Sequence, residues 1–437
     1  MPASLHLEPP KVSLRPHLLT VWQDVWHGQQ YDRSGRPVLI RDGRHTLKRT
    51  MDGRIQSVYT PSDSERAGFA GILRQRRWLE ESERAAVWAK ARSQARAATR
   101  AIADGGLPVE MEAAPGRMAY ADEAGRAKAA QWLESVLALS FEDLDADHRR
   151  FAALYKPITI LPPDQYGAIV LQLAEGCSYN KCTFCTFYRD RPFRVKPPEE
   201  ARRHIEDVLG FLGPGRSNRR QVFLGDANAL IIPQHTLRRL MELVNEYFEV
   251  APPGLTPGQR AAWDWDHPLG VYGIHSFMDS FGLQWKSRQD LKELADLNLR
   301  RVYIGLESGH DPLRQFLGKP GLAAEAAGAV ADLKAAGLSV GLILLVGAGG
   351  AQYREPHLKD SVALLQAMGL GRDDLVYLSP MVEHQDSPYV EAMARSGLTS
   401  LGPAELYEAL QEFRQALRDL GPEGPRVAIY DINEFTY

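Results

Sequence analysis

From residue 168 onward the chain alternates two hydrophobic patterns. Short, almost unbroken apolar runs fall at 168–173, 221–224, 271–277, 301–307, 339–346 and 374–379. Between them lie longer stretches, 198–212, 236–248, 287–297, 322–336 and 355–368, whose apolar residues recur every three or four positions. The first pattern predicts strands covered on both faces and the second predicts amphipathic helices. Strict alternation of the two requires crossovers between parallel strands. Six successive strand–helix units predict an α/β fold, a partial (β/α)6 TIM-like barrel rather than a flat sheet. Residues 402–437 add a helix and a short strand at 426–430.

The first 155 residues follow another pattern. Three short β-prone runs at 37–60 are broken by Asp42-Gly43 and Asp52-Gly53, which predicts a small hairpin or meander. Residues 64–104 carry helical periodicity, with Trp78, Leu79, Val87 and Trp88 on the side expected to be buried. Three parts follow: a mixed, mainly helical N-terminal extension at 1–155, a core at 156–400 and a C-terminal extension at 401–437.

Composition narrows the class without naming a function. The 437 residues are 44% hydrophobic and 24% charged, ordinary for a globular protein. A net charge of -3 gives no global basic field, so no nucleic-acid partner is expected. Arg74, Arg77, Arg92, Arg96 and Arg100 sit among Glu80, Glu81 and Glu83, the mix of a solvated helical face. No apolar run reaches the ~20 residues of a membrane span, and the N-terminus lacks the basic-then-apolar pattern of a signal peptide. A cytoplasmic, reducing location with no membrane partner is expected.

Chemistry enters with the cysteines. All three lie in Cys177-Ser-Tyr-Asn-Lys-Cys182-Thr-Phe-Cys185, a C-x4-C-x2-C array. Three thiolates can hold three irons of a [4Fe–4S] cubane and leave the fourth iron open to a small molecule. A disulfide would strand one thiol, and zinc would need a fourth ligand that no second cysteine pair supplies. A non-catalytic zinc or iron–sulfur binding module therefore stays open beside the open-site cluster. Other unusual residues fall where the predicted strands end: Gly225-Asp226, His275-Ser276, Glu307-Ser308, Gly347 to Gly350, and Ser379-Pro380-Met381. In parallel α/β folds ligands bind at those ends, so a composite pocket is expected there.

With these residues in view, the sequence resembles the radical S-adenosylmethionine superfamily over about 165–400. The family motif is most often C-x3-C-x2-C with an aromatic before the last cysteine, the place of Phe184; the first gap here is one residue longer. Leu224-Gly225-Asp226-Ala227 is similar to the family's strand-two glycine motif. Val302-Tyr-Ile-Gly-Leu-Glu-Ser-Gly309, with Lys319-Pro-Gly321 behind it, resembles the strand-four signature of the branch holding the elongator catalytic subunit and oxygen-independent coproporphyrinogen oxidase. The resemblance implies a radical S-adenosylmethionine partial barrel and an enzyme. Its cofactors would be a [4Fe–4S] cluster on Cys177, Cys182 and Cys185, and S-adenosylmethionine, reductively cleaved to a 5′-deoxyadenosyl radical that acts on a small organic substrate. The electron would come from a reductant such as flavodoxin or ferredoxin. For S-adenosylmethionine it implies Gly225 and Asp226 near the methionine ammonium, and Glu307, with Ser308 as a weaker second, at the ribose. Phe184, Val346 and Gly347 would flank adenine. A tRNA-modifying member is the further alternative, with the N-terminal arginines as its footprint.

Plainer readings stand beside these. Asp226 could close an Asx turn, and Glu307 could pair with Arg300 or Arg301. Arg189, Arg191 and Arg194 could neutralise the cluster or cover a solvated loop. His275, His310, His357 and His384 are candidate acid–base groups at the rim. Tyr272, Tyr377 and Tyr437 are candidate hydrogen-atom donors.

Overall fold

The computed structural model describes residues 10–23, 27–42, 45–49, 55–59 and 75–432. Its N-terminal part is built on strands β1 (Lys11–Leu14), β2 (Leu19–Trp22), β3 (His27–Tyr31), β4 (Pro37–Asp42), β5 (His45–Arg49), β6 (Ile55–Tyr59), β7 (Gln75–Trp78), β8 (Val109–Ala114) and β9 (Arg117–Tyr120). They form one nine-stranded sheet in the order β7-β6-β5-β4-β3-β2-β1-β8-β9. The runs at 37–60 supply β4, β5 and β6, an antiparallel meander that is part of this larger sheet rather than a small unit of its own. The flanking strands of four or five residues are too short to stand out in the hydrophobic pattern.

Three helices complete this part: α1 (Glu81–Ala103), α2 (Glu123–Ala138) and α3 (Phe141–Leu154). On α1, Trp88, Ala91, Ala95, Ala98 and Ile102 recur at helical spacing and join Val12, Leu14, Leu19 and Val21 of the sheet in one core. The helix expected over 64–104 begins only at Glu81. Residues 75–78 are instead an edge strand, Trp78 is 37% exposed, and 64–74 lie outside the described residues. Arg77 pairs with Glu83, and Arg92 donates to the Leu137 carbonyl.

The second part contains β10 (Ile169–Gln172), then the short β11 (Ala174–Glu175) and β12 (Arg194–Val195). After α4 (Pro198–Leu212) come β13 (Val222–Gly225), α5 (Gln234–Tyr247), α6 (Pro257–Asp266), β14 (Ile274–Phe277), α7 (Arg288–Asp296) and β15 (Leu299–Glu307). Next are α8 (Asp311–Phe316), α9 (Ala323–Ala335), β16 (Ser339–Val346), α10 (Arg354–Ala367), β17 (Leu375–Pro380), α11 (Pro388–Arg395), α12 (Pro403–Leu417) and β18 (Arg426–Ile429). The order β10-β13-β14-β15-β16-β17-β18 is parallel throughout. It never reverses, as the order of a doubly wound sheet would, so the expected six strands gain a seventh from the C-terminal extension.

All four residues of β10, β13 and β14 are buried, which explains their nearly continuous apolar character. The rings of Phe223 on β13 and Tyr303 on β15 lie 6.0 Å apart although β14 runs between them. Strands two apart are separated by ~9.6 Å in the sheet, so these side chains converge on a concave interior. At its lower end the hydroxyls of Tyr303 and Tyr377 both donate to Asp164, which also meets Arg301. Burial works to raise the Asp164 carboxyl, but these donors outweigh it and hold it below its ordinary value. Among the described residues no helix is long and apolar enough to cross a membrane.

Candidate active site

β11 and β12 pair antiparallel and close the base of the loop that carries the cysteines. Gly176 enters this loop at φ +77, and a Cβ there would stand 2.7 Å from the Pro192 carbonyl oxygen, so only glycine fits. Asp226, at the end of β13, ties both ends of the loop down. Its carboxylate accepts from the Gly176 amide (2.9 Å), Arg191 Nε (3.1 Å) and Gln172 Nε2 (2.7 Å). Inside the loop the Asn180 amide donates to Cys177 Sγ (3.3 Å), and its side chain donates to the Tyr188 carbonyl. The loop leans on the turn after α8 through Thr183 N to Leu317 O and Tyr179 OH to Gly318 O, both 2.9 Å.

Cys177, Cys182 and Cys185 face one cavity at the carboxyl ends of the strands. Burial pushes the Cys182 thiol up to about 12 and Cys185 up to about 11, and raises Cys177. Thiolates at this place therefore need a bound metal to hold their charge. Lys319, Glu307 and Asp279 share the cavity wall. Lys319 Nζ lies 3.1 Å from Glu307 Oε1 and 3.6 Å from Asp279 Oδ1, and it is buried. Burial alone would lower this ammonium; the two carboxylates outweigh it and keep it charged. Glu307 reaches the cavity because the β15–β16 register slips between Gly305 and Glu307, which leaves Glu307 at φ +61. A Cβ on Gly305 would stand 2.3 Å from Glu307 Oε1, so the carboxylate folds back only over a glycine.

Of the residues expected around S-adenosylmethionine, Phe184 and Glu307 line the cavity with the cysteines. The others do not. Asp226 is spent on anchoring the loop, and Gly225 is buried in β13 beside it. The Ser308 hydroxyl bonds His357 Nδ1 (2.7 Å) and accepts from the His310 amide. On β16 the cavity is lined by Ile343 and Leu345: alternation turns odd-numbered side chains inward and Val346 away, and Gly347, past the end of the strand, has no side chain to present. Glu307 pairs with Lys319 rather than with Arg300 or Arg301; Arg301 instead serves Asp164.

Arg191 belongs to the Asp226 anchor. Arg194 bonds Glu200, and Arg189 covers the Cys182 and Cys185 carbonyls from solvent. Of the four candidate histidines, His384 alone lines the cavity, edge-on to Phe187 at 6.0 Å. His275 bonds Gln221 and His310 bonds Asp360, both away from it. Tyr272 and Tyr377 are committed to Asp264 and Asp164, and Tyr437 lies outside the described residues. Lys319, Asp279 and Tyr430 are cavity residues to which the sequence assigned no role. The acid just past strand three and the Lys-Pro-Gly after strand four were the signals available.

As the side chains stand, the cavity measures about 150 Å³. Ligand pockets usually run ~300–1,000 Å³, so a nucleoside needs a wider cavity than this one. Among the described residues no three His, Cys, Asp or Glu side chains converge on one point as a single ion requires. A cubane takes its thiolates at separate corners, so three cysteines around one cavity fit a cluster better than a zinc ion.

Residues 171–360 match the family model of the radical SAM superfamily. Among solved structures, the cobalamin-dependent S-adenosylmethionine radical enzyme OxsB is 16% identical with a TM-score of 0.34, over 59% of this chain and 31% of that one. Elp3 of the archaeon Methanocaldococcus infernus is 13% identical with a TM-score of 0.36, over 60% and 56%. Coproporphyrinogen III oxidase HemN of Escherichia coli, a radical SAM enzyme by its title, is 13% identical with a TM-score of 0.39, over 63% and 56%. The chain thus spans about a third of the OxsB chain and just over half of the other two. No curated protein matches it. The matched residues contain the whole cysteine loop and the strands that bring Asp279, Glu307, Lys319, Ile343 and Leu345 to the cavity, so over 171–360 the chain carries a radical SAM domain.

Proposed function

We propose that this chain is a cytoplasmic radical S-adenosylmethionine enzyme acting on a small organic substrate. One observation carries the reading: three thiols of one anchored loop face a strand-end cavity that also holds a buried, charged lysine between two carboxylates. Cys177, Cys182 and Cys185 would hold a [4Fe–4S] cluster, which when bound supplies one electron for cleaving S-adenosylmethionine to methionine and a 5′-deoxyadenosyl radical.

The protein's own groups suit that cosubstrate. The Lys319 ammonium fits the methionine carboxylate, and Asp279 and Glu307 fit the methionine ammonium and the ribose hydroxyls. Phe184 offers a ring face to adenine. The apolar wall of Phe277, Ile343 and Leu345 keeps water from the reacting centre. The electron would come from a flavodoxin- or ferredoxin-type carrier, in a reducing compartment that keeps the thiols free.

The test is anaerobic reconstitution followed by absorption and EPR spectra, then assay of 5′-deoxyadenosine with dithionite and S-adenosylmethionine. A [4Fe–4S]⁺ signal altered by S-adenosylmethionine, with 5′-deoxyadenosine lost in Cys182→Ala, supports the proposal. A colourless protein holding one zinc, or a cluster indifferent to S-adenosylmethionine, would sink it in favour of a binding module.

A further inference from the structure

The cavity wall is divided by chemistry and by strand. Its three charged side chains, Asp279, Glu307 and Lys319, follow β14 and β15, on the side that carries the cysteine loop's contacts. The side built from β16 to β18 and the turns after them presents Ile343, Leu345, Met381, Val382, Tyr430 and Ile432 beside Ser379 and His384, with no carboxylate, lysine or arginine. Tyr430 stands out there. It is fully buried, its amide is fixed to the Leu378 carbonyl (2.9 Å), and its phenolic oxygen has no hydrogen-bond partner among the described residues. Other buried tyrosine hydroxyls around this sheet are satisfied: Tyr303 and Tyr377 on its strands by Asp164, and Tyr155, just after α3, by the Val170 carbonyl.

A buried hydroxyl left unpaired is costly, and here the residue that carries it lines a cavity meant for a ligand. Burial also holds the phenol well above its ordinary value, so it remains an O–H donor. Residues 379–432 lie beyond the matched radical SAM domain, as expected of groups that choose a substrate rather than run chemistry common to the family.

We propose that the last two strands form the substrate-recognition wall, with the Tyr430 hydroxyl donating to an uncharged acceptor, a carbonyl or ether oxygen, on a largely apolar organic substrate. A charged group placed against this wall would lose its hydration without a partner. The assignment rests on the function proposed above, which makes this cavity the reaction site.

The probes are acetophenone and ethylbenzene, near-isosteres that differ by one carbonyl, titrated calorimetrically into the anaerobically reconstituted protein. Wild type is expected to prefer acetophenone by about 2- to 12-fold, the worth of one hydrogen bond. The infrared carbonyl stretch of bound ¹³C-acetophenone should show that bond. Tyr430→Phe should abolish the preference and the carbonyl shift, leave ethylbenzene affinity unchanged, and keep wild-type iron content. Val382→Trp, which fills the wall, should weaken both probes at least tenfold. An unchanged preference in Tyr430→Phe, or probes indifferent to Val382→Trp, would overturn the proposal. Iron content and S-adenosylmethionine binding are measured on the same samples. A wild type without a cluster would count against the function above and leave the probe comparison standing.

Discussion

The two oxygens of Asp226 meet three donors, and this decides how the residue acts. Asp226→Asn would turn an amide N–H₂ or a single oxygen toward donors that now share a carboxylate. Arg191 keeps Asp190 and the Pro157 carbonyl, so the loss should be about 2–3 kcal/mol rather than that of a stripped buried charge. The expected outcome is a lower urea midpoint together with less iron per chain, because the cysteine loop loses the clamp on both its ends. If Asp226 instead touched the cosubstrate, iron content would stay normal and only S-adenosylmethionine affinity would fall. Lys319→Met should show that second pattern. It removes the cation between Glu307 and Asp279 while leaving the loop anchored. A calorimetric titration should give at least tenfold weaker S-adenosylmethionine binding at unchanged iron content; wild-type affinity would refute the role given to Lys319.

At the scale of elements, the segment 306–321 shows how position is enforced. Arg314 of α8 is 1% exposed, and its guanidinium donates to the carbonyls of Leu306, Pro320 and Gly321. It therefore joins the end of β15, which aims Glu307, to the turn that delivers Lys319. Arg314→Met keeps the length and apolar stem but leaves buried carbonyls without donors, at a cost of about 3 kcal/mol. Amide exchange in 306–321 should speed up with the global midpoint; exchange confined to wild-type rates there would contradict the brace.

Such a brace was not legible in the sequence, where Arg314 reads as an ordinary helix-face arginine. What was legible had a repeating physical signature. Continuous apolar runs marked β10, β13, β15, β16 and β17, and cysteine spacing marked the cluster loop. The misses share a cause as well. Val346 is one step out of phase with the inward-facing Ile343 and Leu345, Gly347 falls past the end of the strand, and a bulge near Gly305 shifts phase in β15. Phase is set by pairing partners, which hydrophobic period does not specify. Tyr430 directly follows a four-residue strand of mostly exposed residues, and its place follows only from that strand's docking beside β17.

Across the whole molecule, three histidines join the sheet to its surroundings, and all three are neutral. His204 of α4 accepts from the Gln172 amide of β10 through Nε2 (3.0 Å), a bond the imidazolium cannot make. His275 on β14 bonds Gln221, and His357 of α10 bonds Ser308 at the end of β15. Burial lowers them to about 4, about 3 and about 4 respectively. Unfolded histidine titrates near ~6.5, so between that pH and the folded values the unfolded chain binds more protons. Stability from these groups is therefore complete above pH ~6.5 and drains as the pH falls toward 4. By pH 5 each should have cost about 2 kcal/mol, about 6 kcal/mol together, a large share of a typical ~5–15 kcal/mol. Cluster assembly is pushed the same way, since Cys182 and Cys185 must release protons to bind iron. The urea midpoint should fall steeply between pH 7 and 5. His204→Gln, whose side-chain oxygen can still accept from the Gln172 amide, should flatten that fall by roughly a third while costing little at pH 8. A variant with the wild-type slope would show that His204 is protonated in the folded chain and that the α4–β10 contact does not depend on its neutrality.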